Sequence, residues 1–274
     1  MAYDGAMGDA ARSAPLPSFE LPPVIEVAVG VHFLQLPGLN TVALVRLADI
    51  WRERYPKIQE QPALPPAAPG GSQLFMFQVG NSPPPQRFWL LTETESLLIQ
   101  IQHDRLLLNW RKVKDDDPYP RYDQLRQDFS ELWSDFTRYV VSGDYGAFQP
   151  ILAEVSFFNR IPVSSAAEVP GAIAALNPDW RLDGHLATSL QIERAMVDAT
   201  GPFGQQNIVL GYRPELGNIQ LEISSRVRID AESTDSAAIL AALDKAHDVD
   251  VLTFDQITTE NAHTAWGKHH VSAN

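Results

Sequence analysis

The sequence predicts an α+β fold. Two duplicated strand-helix-meander-helix halves form a curved antiparallel sheet with helices on one face. Three observations predict it. Each half opens on a stretch whose apolar residues alternate, and each closes on a long stretch with helical apolar spacing. Pro150-Ile-Leu-Ala-Glu154-Val155 also echoes Pro23-Val-Ile-Glu26-Val27, with the two glutamates 128 residues apart. A fixed internal period outranks local cues in a fold reading. The expected layout is a disordered leader over 1–19, a first half over 20–146, a second half over 147–267 and a disordered tail over 268–274.

The elements follow in order. After Pro22-Pro23, Val27, Val29, Val31 and Phe33 alternate with Glu26, Ala28, Gly30 and His32, so Val24 to Phe33 is a strand with one apolar face. Asn40 is placed to cap a helix reaching Tyr55, with Leu44, Leu47, Trp51 and Tyr55 as its buried stripe. Gln61 to Ser72, rich in Pro, Gly and Ala, is expected to be a loop. Leu74 to Val79, Phe88 to Glu93, Leu97 to Gln102 and Leu106 to Val113 then read as a four-strand meander. A helix from Arg121 to Val141 carries Leu125, Phe129, Leu132, Trp133, Phe136 and Val140 on one stripe.

The pattern restarts with a strand over Ile151 to Ile161. Ala166 to Leu176 is poorly periodic where the first half has its helix, and whether a full helix persists there is not legible. Strands are expected at Leu186 to Val197, Asn207 to Arg213 and Ile219 to Ile229, with Gly217-Asn218 turning the last two. A long helix begins near Asp235. Its stripe of Ile239, Leu243, Ala246, Phe254 and Ile257 is interrupted by Asp250, so either the helix bends or Asp250 has a partner. A short turn over Ala262 to Trp266 ends the fold.

Composition narrows the function classes. With 274 residues, 45% hydrophobic and 20% charged, the chain has ample material for a core. A net charge of −13 argues against nucleic acid as the main partner and against anionic membranes, which both recruit clustered Lys and Arg. Between Asp230 and Glu260 eight acids stand against one base, Lys245. There is no cysteine, which excludes disulfides and thiol chemistry. No run approaches the roughly 20 apolar residues that cross a bilayer. No signal segment is visible, so the expected location is the cytoplasm.

The densest cluster of specific residues is Gln100-x-Gln102-x-Asp104-Arg105, Asn109-Trp110-Arg111 and Tyr119-Pro120-x-Tyr122. Leu106, Leu108 and Trp110 form one face of its hairpin, and Asn109 and Arg111 lie on the other beside Gln100 and Gln102. With Leu21-Pro22-Pro23-Val24-Ile25-Glu26-Val27, Tyr55-Pro56, Gln61-Pro62, Glu154-Val155, Asn159 with Pro162, and Phe254 to Trp266, this block carries a resemblance. Over about residues 19 to 267 the chain resembles a sporadically distributed bacterial protein family of unknown function. The resemblance implies no activity, cofactor or substrate. The duplicated sheet is itself analogous to TATA-binding-protein-like folds.

Candidate chemistry is sparse. Glu26 and Glu154 hold equivalent places in the halves, and paired carboxylates suit acid–base work or a metal. Gln100, Gln102, Asn109 and Arg111 offer planar hydrogen bonding for recognition, or a network that fixes the hairpin. Asp244, Asp248 and Asp255 mark an acidic helix face that suits a basic protein. Asp115-Asp116-Asp117 lacks the glycine and distal glutamate of a calcium loop. No phosphate loop, nucleophile elbow or zinc-protease motif is present, so no catalytic residue, metal ligand or cofactor is assigned.

The expectation is a non-enzymatic binding or scaffold protein that contacts another protein through the acidic helix or the polar sheet face. A small-molecule sensor or carrier with a pocket between sheet and helices is the alternative. A metal-assisted hydrolase using Glu26 and Glu154 is the third reading. Oligomeric state is not legible.

Overall fold

The computed structural model describes residues 15–65, 86–143, 145–174, 189–230 and 235–271. They form an α+β fold with a large antiparallel sheet and several helices. The chain divides into two compact units. One, here the hairpin unit, comprises Val27–Glu154 and Val227–Asp244. The other, the terminal unit, comprises Met1–Glu26, Val155–Arg226 and Lys245–Asn274. No described helix is long and apolar enough to cross a membrane.

In the hairpin unit the sheet order is β3 (Lys57–Pro62), β4 (Gln86–Leu91), β5 (Leu97–Gln102), β6 (Arg105–Arg111), β2 (Val24–Phe33) from Val27 on, and β7 (Pro150–Pro162) as far as Glu154. The alternation in β2 is fulfilled on its apolar side, where Val27, Val29, Val31 and Phe33 are fully buried. Its Gly30 answers a steric demand. A Cβ there would lie 2.7 Å from the Leu107 Cα and closer still to the Leu106 carbonyl oxygen, so only glycine lets β6 approach.

Helix α1 (Thr41–Ile50) starts at the expected cap, where Asn40 Oδ1 accepts from the amides of Val42 and Ala43 at 3.1 and 3.2 Å. It ends at Ile50 rather than Tyr55. The chain tightens into turns through Arg54, and Trp51 and Tyr55 remain buried beyond the helix. Helix α2 (Arg121–Gly143) buries the expected stripe. Phe33, Trp133, Phe136 and Phe148 pack ring against ring at 5.1–5.7 Å, with the first three buried in the core and Phe148 half-buried against them. Two side-chain bonds tie α1 and the turn after it to α2: Trp51 Nε1 donates to Asp135, and Tyr139 OH donates to the Ala43 carbonyl.

β3 is a strand not expected from the sequence, and it takes Gln61 and Pro62 from the start of the expected loop. Lys57–Pro62 pairs antiparallel with β4, with Gln59 opposite Trp89 and Gln61 opposite Arg87. Four polar or charged residues and a terminal proline hide this strand from a hydrophobicity pattern. It is an edge strand in the sheet order, where such residues are tolerated. The expected strand at Leu74 to Val79 lies outside the described residues.

In the terminal unit the order is β7, β10 (Asn218–Arg228), β9 (Gly201–Arg213) and β8 (Ser189–Asp198). Strand β9 starts at Gly201, so Gly201-Pro-Phe-Gly204 is strand, and the turn falls just before it. Gly217 sits at φ 59° before β10, and its carbonyl accepts the Val163 amide at 3.0 Å. The core gathers Ile161, Ile173, Leu210, Ile219, Leu221, Ile223, Phe254 and Ile257. A 3-10 turn and the single-turn helix α3 (Val169–Ala172) occupy the poorly periodic stretch. Pro170 and Gly171 within α3 disfavour a longer helix.

Helix α4 (Ser236–Ile257) runs without a break past Asp250. Asp250 is buried because it has partners: Ser225 Oγ and Gln206 Nε2 donate to its Oδ1 at 2.6 and 3.0 Å. Helix α5 (Glu260–Ala265) follows, capped by Thr259. Finally β11 (Lys268–Val271) pairs antiparallel with β1 (Leu16–Phe19). Parts of the expected leader and tail are therefore a two-stranded sheet. Its anchor is Phe19, whose ring packs on Phe254, His263 and Trp266. Residues 1–14 and 272–274 lie outside the described residues.

Candidate functional site

The β5–β6 hairpin places Gln100, Gln102, Asn109 and Arg111 on one face, as their spacing requires. Three of the four are buried and bonded internally. Gln100 Nε2 donates to Asn109 Oδ1 at 2.9 Å. Gln102 exchanges hydrogen bonds with the backbone of Leu64 at 2.9 and 3.0 Å, and also donates to Asp104 Oδ1. Asp104 in turn chelates Arg105 through Nε and Nη2 at 2.9 and 3.0 Å. This inner layer is a satisfied network that fixes the hairpin and the chain leaving β3.

The open part of the face lies one strand outward. Arg87 and Trp89 on β4 are half-buried, with Gln61 half-buried and Gln59 exposed beside them on β3. Arg87 Nη1 and Trp89 Nε1 both donate to Gln100 Oε1, at 2.8 and 3.1 Å. The guanidinium carbons of Arg87 and Arg111 lie 5.4 and 5.9 Å from the Trp89 ring, within cation–π range. Arg111 is held from the other side by Glu95, donating Nε to its carbonyl at 2.9 Å. The indole is thus fixed by one hydrogen bond and two cations before anything binds.

Of these outer residues only Arg111 and Gln61 stand out in the sequence. The signal for the others is the alternation of Arg87 and Trp89 with Phe88 and Leu90. Its meaning depends on β3 and β5 lying on either side, which is a matter of register.

The acidic helix residues are partnered within the chain. Asp244 accepts from Arg126 Nε and Nη2, at 2.6 and 3.0 Å, and from Tyr122 OH at 3.0 Å. Asp248 lies 3.1 Å from His247 Nδ1, and Asp255 lies 2.6 Å from Lys268 Nζ. Each aspartate therefore has a cation or imidazole beside it, which reduces the negative field offered to a partner.

Glu154 is buried on β7 and accepts from His32 Nε2 on β2 at 2.8 Å. Glu26 is half-buried on β2. Among the described residues no group of three or more His, Asp or Glu side chains is gathered to hold a metal ion. In the loop after β6, Asp117 Oδ2 accepts the amides of Val113 and Lys114 at 2.9 and 2.8 Å, so this acid closes a turn.

A second polar cluster, signalled in the sequence only by Asp250, lies in the terminal unit. Gln206, Ser225, Asp250 and Thr253 are all buried, and Arg194 donates to Gln206 Oε1 and Thr253 Oγ1 at 2.8 and 3.0 Å. It joins β8, β9 and β10 to α4 and presents no open polar surface apart from Arg194.

No family model, no curated protein and no solved structure matches this chain.

Proposed function

We propose that this is a non-enzymatic binding or scaffold protein of the cytoplasm that contacts another protein through the half-open face of β3 and β4. One observation carries the reading: Trp89, half-buried, is immobilised between Arg87 and Arg111 and hydrogen-bonded to Gln100. Trp and Arg dominate the energetics of protein interfaces, and side chains already fixed lose less entropy on binding. The acidic face of Asp244, Asp248 and Asp255 is the less favoured contact, since each acid is engaged internally.

The duplicated, TATA-binding-protein-like architecture is part of the same proposal. In each half the opening strand lies beside the last meander strand, β2 beside β6 and β7 beside β10, with the earlier meander strands following outward. Long helices α2 and α4 follow the two meanders. This matching order supports one ancestral unit used twice. Membership of the sporadic bacterial family stays a proposal on the motifs quoted above.

The test places a photo-crosslinking amino acid at exposed Gln59 and, as a control, at exposed Val141 on α2. A discrete crosslinked protein is expected from position 59 in host cells, lost in a Trp89→Ala background and absent from position 141. The same products from both positions, or none from 59, overturn the reading.

A further inference from the structure

Arg87 is electrostatically out of place. Its neighbours are neutralised: Arg105 by Asp104 at 2.9 Å, and Arg111 by Glu95 at 3.5 Å. Arg87 has no carboxylate partner among the described residues. Its one side-chain hydrogen bond among the described residues goes to the neutral amide of Gln100. Its Nε is buried and meets no acceptor there. Burial, and then the nearby Arg105 charge, hold its pKa below the ordinary arginine value. A desolvated cation without a counter-ion is costly. It is more unexpected in a chain of net charge −13, where acids are plentiful.

The surroundings suit a particular visitor. Gln61, directly across the ladder, brings an amide that makes no hydrogen bond among the described residues. Trp89 supplies an apolar wall. A guanidinium fork matches a carboxylate in geometry. The charge matches too, because one cation with no carboxylate partner among the described residues balances one carboxylate, whereas a phosphate dianion would leave an excess.

We propose that Arg87 seats a single carboxylate from an acidic side chain of the protein partner, with Gln61 and Trp89 flanking it. The proposal rests on the binding-protein reading and names the chemistry of its partner at this point.

The test uses the full chain labelled with ¹⁵N at arginine, observing side-chain Nε–H resonances. Arg87 is assigned by the signal lost in Arg87→Lys. The probes are N-acetyl-glycyl-glutamyl-glycinamide, its glutaminyl counterpart and inorganic phosphate. The glutamyl probe is expected to shift the Arg87 resonance saturably while Arg105 and Arg111 stay still. The glutaminyl probe should leave Arg87 unmoved, and phosphate should bind at least tenfold more weakly than the glutamyl probe. Gln61→Ala is expected to weaken the glutamyl probe severalfold without unfolding the chain.

Equal shifts from both peptides, tighter binding of phosphate, or no shift at Arg87 overturns the carboxylate seat. The crosslink at Gln59 is read separately. A crosslink without a glutamyl shift defeats the seat alone. A glutamyl shift without a crosslink defeats the protein as its source and the binding-protein reading with it.

Discussion

Tyr55 shows what burial does to one side chain. Its ring is 1% exposed and its hydroxyl meets no partner among the described residues. Burial pushes its pKa from 10.0 up to about 12. The sign follows from linkage. In the unfolded chain the phenol ionises first, so stability contributed by the protonated form is complete below pH 10.0 and is lost as pH rises toward about 12. Tyr55→Phe is expected to flatten that alkaline loss in urea titrations. At neutral pH it should be neutral or stabilising by about 1 kcal/mol, since an unsatisfied hydroxyl is removed. Asp250 differs, a buried acid whose Oδ1 accepts from two donors. Asp250→Ala removes the acceptor of Ser225 and one of the three acceptors of Gln206, and urea unfolding should show a loss of about 3 kcal/mol. The sequence marks Asp250 as anomalous because it interrupts an apolar stripe. It does not name Ser225 and Gln206, which lie 25 and 44 residues away.

At the scale of elements, strongly periodic segments were readable and weakly apolar ones were not. The alternation of β2, the stripe of α2 and the Asn40 cap each follow from local chemistry. Strand β3 does not, because Lys57-Ile-Gln-Glu-Gln-Pro62 becomes a strand only through its ladder with β4. The candidate site inherits that asymmetry. Gln100, Gln102 and Asn109 are visible in the sequence but turn inward. Arg87 and Trp89 are the open residues, and only the β3–β4–β5 register brings them together. Close packing of elements also sets a strict test at Gly30. Gly30→Ala puts a methyl against the backbone of Leu106 and Leu107, which cannot move aside as a flexible side chain can. A loss of about 2–3 kcal/mol is expected in the same unfolding assay, with no change in secondary structure by circular dichroism.

At the scale of the molecule, the chain ends carry an unexpected role. β1 and β11 pair, and Phe19 enters the aromatic group of Phe254, His263 and Trp266 in the terminal unit. Deleting residues 1–20 should lower the melting temperature by roughly 5–10 °C, and Phe19→Ala alone should reproduce most of that. An unchanged melting temperature would show that this sheet adds nothing to the unit. By itself the sequence determined the α+β class, the long helices, the main strands and the absence of thiol chemistry. Those rest on composition and on patterns of two or 3.6 residues that short stretches of chain express alone. Tertiary structure alone decided which polar groups are spent internally and which stay available. It closed Asp244, Asp248 and Asp255 onto partners, enclosed Gln102 and Asn109, and left Arg87 beside Trp89 with no carboxylate partner among the described residues. The reason is physical: pairing and solvation are settled by neighbours distant in the chain, and no local pattern records them.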